Sequence, residues 1–138
     1  PNTAESGFFS NILREPLVGN EAVLPVEQSV RHWFASPRSA VGFLIHAANM
    51  DTSGIGDRRN INMPGLSESV GGQIEALRRV AGAKAVALIR NEPDESISRI
   101  VRGWPSNFEA LRAKSLGFIA DVNFDDIIRG HIEDELCG

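Results

Sequence analysis

The 138-residue sequence contains no tyrosine and a single cysteine. The first absence removes the phenolic hydroxyl as a general acid. The second excludes an internal disulfide, and a lone thiol at Cys137, beside the last residue, suits a reducing cytoplasm. No apolar run reaches membrane-spanning length, and no basic stretch followed by an apolar one marks a signal peptide. There is no G-x-G-x-x-G or G-x-x-G-x-x-G turn, no G-x-x-x-x-G-K-[ST] phosphate loop and no G-x-S-x-G nucleophile elbow. An initiator Met is also missing, and an opening of Pro1, Asn2 and Thr3 suits a fragment or a processed chain.

What remains is ordinary globular material, 42% hydrophobic and 23% charged, of a length that suits one domain. The net charge of -4 gives no attraction to nucleic acid or to anionic lipid, so neither is an expected partner. His32, His46 and His131 fall on separate elements without ligand spacing, so a metal site is not expected. His32, flanked by Arg31 and Trp33, is the best polar candidate of the three. Asp125 and Asp126 are adjacent, and neighbours on a helix do not face each other. They suit a helix N-terminus, whereas Glu133, Asp134 and Glu135 read as a solvated tail. Arginine is more informative. Arg31, Arg38, Arg58, Arg59 and Arg102 lie in or beside predicted loops and strand ends, where a guanidinium can meet a carboxylate or phosphate through two parallel hydrogen bonds. Arg31 is the candidate ligand contact, and Arg58 with Arg59 reads as exposed turn charge.

Periodicity predicts a helix over 4–17, apolar through Phe8, Phe9, Ile12 and Leu13 and ended by Pro16. Strands over 22–26 and 30–34 are expected to form a hairpin-like pair. Ser36 and Pro37 open a second helix as N-cap and first helical residue, with Val41, Leu44, Ile45 and Ala48 as its buried stripe. A loop over 51–59 precedes a strand over 60–63, then a helix over 67–81 with Gly82 as its C-cap. A strand is expected over 86–90. Capping-box spacing at 106–109 starts a helix that runs to Leu116 and ends at Gly117. Asn123 starts the last helix, with Phe124, Ile127, Ile128, His131 and Ile132 facing inward. The fold class is α/β, four or five helices interleaved with short strands.

The order of these pieces resembles the C-terminal part of extended short-chain dehydrogenases/reductases, the NAD-dependent epimerase/dehydratase family. The resemblance rests on Val30 to Ser39 as an arginine-led strand entering a helix, and on Asn60-Ile61-Asn62-Met63 followed by Pro64-Gly65-Leu66-Ser67. It rests also on Ala113-Lys114-Ser115-Leu116-Gly117-Phe118 with the helix start at Phe124. It implies that residues 1–138 are the substrate-binding portion of a Rossmann-fold enzyme, with 60–63 as one late strand of that sheet and the nucleotide-binding half absent. That half would bind NAD and supply the reactive Tyr and Lys, so the chain alone is expected to be inactive. The implied substrate is a small sugar acid, its carboxylate on Arg31, with Asn2, Phe8, Asn11 and Ser36 on the wall around it. In nucleotide-sugar epimerases the matching arginine holds diphosphate, and a nucleotide-sugar epimerase or reductase is the alternative. A freestanding binding or structural domain is a further one. The family allows a homodimer for the intact enzyme.

Overall fold

The computed structural model describes residues 7–107 and 109–137. Helix α1 (Phe8–Leu17) buries Phe8, Phe9, Ile12 and Leu13 and carries Pro16 in its final turn, where the chain stops being helical. Residues 1–6, including the predicted helix start, lie outside the described residues. Two small sheets follow. Strand β1 (Ala22–Leu24) pairs in parallel with β4 (Ile89–Asn91), and β2 (Arg31–Phe34) pairs antiparallel with β3 (Leu66–Ser69). The hairpin between the first two strands therefore does not form. After β1 the chain turns away at Pro25, whose carbonyl accepts from Asp94 N–H at 2.8 Å, while Glu92 N–H reaches Leu24 O at 3.0 Å. The neighbours of β1 thus come from residues some seventy positions on, and no two-residue turn competes with them.

Helix α2 (Pro37–Asn49) begins as its residues dictate, with Ser36 as N-cap and Pro37 in the first turn. Its buried face is not the expected one. Phe43 is buried, whereas Val41, Leu44 and Ile45 are 55%, 73% and 59% exposed. Phe43 anchors a small second core with Ala110, Ala113 and Phe118, joined by Ile61 and Met63. Residues 60–63 make no ladder among the described residues; the strand lies later, over β3, because a strand requires a partner and β2 matches Phe34 to Leu66. Gly65 permits this approach, since a Cβ there would sit 2.6 Å from both Phe34 O and Trp33 Nε1.

Helix α3 (Val70–Ala81) consequently starts three residues later than predicted, capped by Ser69, whose hydroxyl accepts from Gly72 N–H at 3.0 Å. Gly82, at φ +85, ends it as expected. A short helix α4 (Ala83–Val86) occupies the start of the predicted 86–90 strand and delays β4 to Ile89. Helix α5 (Glu95–Arg102) was not anticipated, although Asp94 caps it and Ile97, Ile100 and Val101 have helical spacing. The 106–109 box is not used. Helix α6 (Leu111–Ser115) begins at Ala110 without a side-chain cap, and Phe108 lies outside the described residues.

Helix α7 (Phe124–His131) keeps its Asn123 cap, whose Oδ1 accepts from Asp126 N–H at 2.9 Å, and passes into a π-helical turn, Ile132–Leu136. The main core lies where α3 packs across α1 and α7, over β1, with Ile12, Leu24, Leu77 and Ile128 fully buried. The predicted inward face of α7 holds at Phe124 and Ile128, with Ile127, His131 and Ile132 half-buried. The acidic tail is more than solvated. Arg38 donates to Asp134 at 2.7 Å through both Nε and Nη2 and to Glu133 at 2.9 Å, tying the π turn to the start of α2. The pairing raises the Arg38 pKa and lowers that of Asp134.

Candidate functional site

Successive side chains of β2 point to opposite faces, which separates Arg31 and Trp33 from His32 and Phe34. The second pair faces the core. The His32 ring stacks on Phe9 at 4.5 Å and 11°, with Phe34 edge-on at 5.3 Å and Trp104 at 5.7 Å. Its Nδ1 is buried without a hydrogen-bond partner, and burial lowers its pKa. The ring packs among aromatics and also borders the cavity between α1 and α7. Of the other two histidines, His46 Nε2 lies 2.7 Å from Leu116 O, and His131 borders the cavity between α1 and α7.

Arg31 is exposed on the opposite face. Its Nη2 donates to Ser67 O at 3.1 Å and its Nε to Ser67 Oγ at 3.4 Å. Ser67 Oγ in turn donates to Ser106 O at 2.7 Å, in the segment after α5. No carboxylate among the described residues is within salt-bridge reach of this guanidinium. A cation held by neutral groups alone retains its capacity to pair with an anion. The sequence places Ser67 and Ser106 at the starts of two helices; their pairing depends on the β2–β3 register, which leaves no local mark.

The other expected wall residues scatter. Phe8 is buried in the core beside Phe9, with ring centroids 4.1 Å apart. Asn11 is half-buried on α1. Ser36 lies five residues beyond Arg31, roughly 16 Å along extended chain. Its hydroxyl is engaged twice, accepting from Ser39 N–H at 3.0 Å and donating to Asp121 at 2.6 Å, while its own N–H donates to Asp121 at 2.8 Å. Asn2 lies outside the described residues.

The described residues also line two concavities. One, of about 490 Å³, is lined mainly by apolar groups of α1, the end of β2 and α7, among them Leu13, Phe34, Phe124 and Ile128. The other, of about 680 Å³, has Arg58, Arg59, Asn60, Asn62 and Glu109 on its walls beside Ala110 and Leu111. Arg112 builds it by donating to Ile55 O at 2.8 Å, to Asn60 O at 3.3 Å and to Arg58 O. That loop-clamping role was not legible in a helical arginine that reads like any surface charge.

No dinucleotide-binding motif is seen among the described residues. A pyrophosphate needs free backbone amides at a glycine turn that opens a helix. Here Ser36, Ser69 and Asn123 each accept from one first-turn amide of α2, α3 and α7, and Asp94 from two of α5. The strand-to-helix junction at Ser36 also carries the Asp121 carboxylate, which repels an anion. Among the described residues no group of His, Cys, Asp and Glu could hold a metal ion, and no helix is long and apolar enough to cross a membrane.

Comparison with known proteins places the chain. No family model matches it. It is 68% identical to, and superposes with a TM-score of 0.96 on, a structure described as a nucleoside-diphosphate-sugar epimerase from Agrobacterium tumefaciens, covering 100% of this chain and 40% of that one. It also superposes on L-threonine 3-dehydrogenase from Trypanosoma brucei with a TM-score of 0.80, at 13% identity, over 96% of this chain and 40% of that one. An open α/β arrangement of this kind is a segment of the extended Rossmann-like fold of short-chain dehydrogenases. More particularly, over nearly its whole length the chain is homologous to D-erythronate dehydrogenases, within the NAD-dependent epimerase/dehydratase family. It is 43% identical to the Cupriavidus necator protein over 97% of its length and 41% identical to the Haemophilus influenzae protein over 96%. It spans about two-fifths of those relatives, 41% and 42% respectively.

Proposed function

We propose that this chain is the substrate-side portion of an NAD-dependent oxidoreductase that acts on a small sugar acid such as D-erythronate. The observation that carries the reading is Arg31, a guanidinium anchored by neutral oxygens and lacking a carboxylate partner among the described residues, in a chain homologous to two D-erythronate dehydrogenases. In this reading Arg31 pairs with the substrate carboxylate and Asn2 and Asn11 belong to the surrounding wall, while Phe8, packed in the core, and Ser36, bonded to Asp121, only frame it. NAD supplies the hydride acceptor and is held by polypeptide other than these residues. The chain's own contribution is to bind and orient the acid, since it has no tyrosine to donate a proton at the reacting oxygen.

The alternative is a nucleotide-sugar epimerase or reductase, with Arg31 on a diphosphate, and the description of the Agrobacterium tumefaciens structure favours it. Incubating the full-length polypeptide that carries this chain with NAD and D-erythronate separates the two. NADH formation is expected, with Arg31→Ala lowering kcat/KM about ten- to a hundredfold, the range for hydrogen bonds to a charged group. No NADH from the acid, together with turnover of a UDP-sugar, sinks the first reading.

A further inference from the structure

We infer that Ser67 is a positioning residue for Arg31, setting which edge of the guanidinium meets the substrate; this rests on the reading of Arg31 as the carboxylate anchor. The geometry is directional. Ser67 has a single hydroxyl proton, and it is given to Ser106 O at 2.7 Å. The oxygen must therefore present a lone pair to Arg31, and it receives Nε at 3.4 Å. The carbonyl of the same residue receives Nη2 at 3.1 Å. One serine thus occupies the whole Nε–Nη2 edge. What remains is the end of the guanidinium, where one proton of Nη1 and the second proton of Nη2 lie parallel and match the two oxygens of a carboxylate.

The β-sheet register supplies the placement. Arg31 is paired with Ser69 and Trp33 with Ser67, so the arginine side chain must lean along the ladder by two pairs, to the next pair on its own face, to reach Ser67. A long, exposed arginine otherwise samples many rotamers, and ordering it on binding costs free energy. Pre-ordering by Ser67 removes part of that cost before the substrate arrives. The bond to Ser106 also ties the segment after α5 to the same point, so the anchor and the loop beside it are set together.

The test uses the full-length polypeptide with Ser67→Thr and Ser67→Val, which share shape and strand preference and differ in the hydroxyl. Valine is expected to raise KM for the sugar acid about fivefold, leaving kcat and KM for NAD unchanged, while threonine stays near the parent. In an Arg31→Lys background, where the fork is gone, Ser67→Val is expected to add nothing, a coupling that independent structural damage would not produce. Equal KM values for the two Ser67 variants overturn the inference, as does a folding defect common to both. An additive effect in the Arg31→Lys background also overturns it. If Arg31→Ala raises KM while Ser67→Val does not, the inference fails and the carboxylate reading stands. A parent enzyme that turns over no sugar acid overturns both.

Discussion

At the scale of the residue, Ser36 shows how one side chain can be assigned two roles by sequence and one set of bonds by structure. It is buried, it caps α2 by accepting from Ser39 N–H, and its hydroxyl proton goes to Asp121. Replacing it with alanine removes a cap and leaves a carboxylate short of a donor. We expect Ser36→Ala to cost about 1–2 kcal/mol of stability. Urea unfolding measures this, and a midpoint identical to the parent's shows that solvent replaces both bonds. His32 belongs to the same scale. Its neighbours Arg31 and Trp33 suggested a polar site, but strand alternation turned it into the aromatic cluster with Phe9, Phe34 and Trp104.

At the scale of the element, the recurrent question is which face and which partner. The apolar stripe of α2 was correctly spaced for a helix, yet Phe43 is what the chain buries. Ion pairs also join elements. Arg79 on α3 donates to Asp125 on α7 at 2.9 and 2.6 Å, and this hydrogen bonding holds the Asp125 pKa below the ordinary carboxylate value. A depressed folded pKa means that the contribution is present above the unfolded value of about 3.9 and is lost as pH falls through the lower folded value. We therefore expect Asp125→Asn to lower Tm modestly at neutral pH, with the gap from the parent closing below about pH 4. Thermal melts of both proteins from pH 7 to pH 3 measure this. A gap that persists unchanged into acid assigns the effect to packing rather than to charge.

At the scale of the whole molecule, the chain corresponds to about two-fifths of its relatives, 41% and 42%. It contains no glycine-rich turn of the dinucleotide type, four of its helices have a side-chain cap on a first-turn amide, and the Ser36 junction carries an acid. The isolated 138-residue polypeptide is accordingly expected to bind no NAD and to turn over no sugar acid. Calorimetric titration with NAD is the measurement, and saturable one-to-one binding in the micromolar range shows that a cofactor site has been overlooked.

By itself the sequence determined what acts within a few residues. Ser36 and Asn123 caps, the glycine ends at Gly82 and Gly117, Pro16 in the last turn of α1 and the alternation along β2 were all legible, because donor and acceptor there are neighbours in the chain. The α/β character and the family resemblance follow from the order of such local signals. Tertiary structure decided the rest. Whether β1 pairs with β2 or with β4, whether residues 60–63 join a ladder, and whether α2 buries Phe43 or Leu44 depend on surfaces distant in sequence. The link from Arg31 through Ser67 to Ser106 is of this kind, since its 36- and 39-residue separations are closed by strand register and not by any spacing a motif can record.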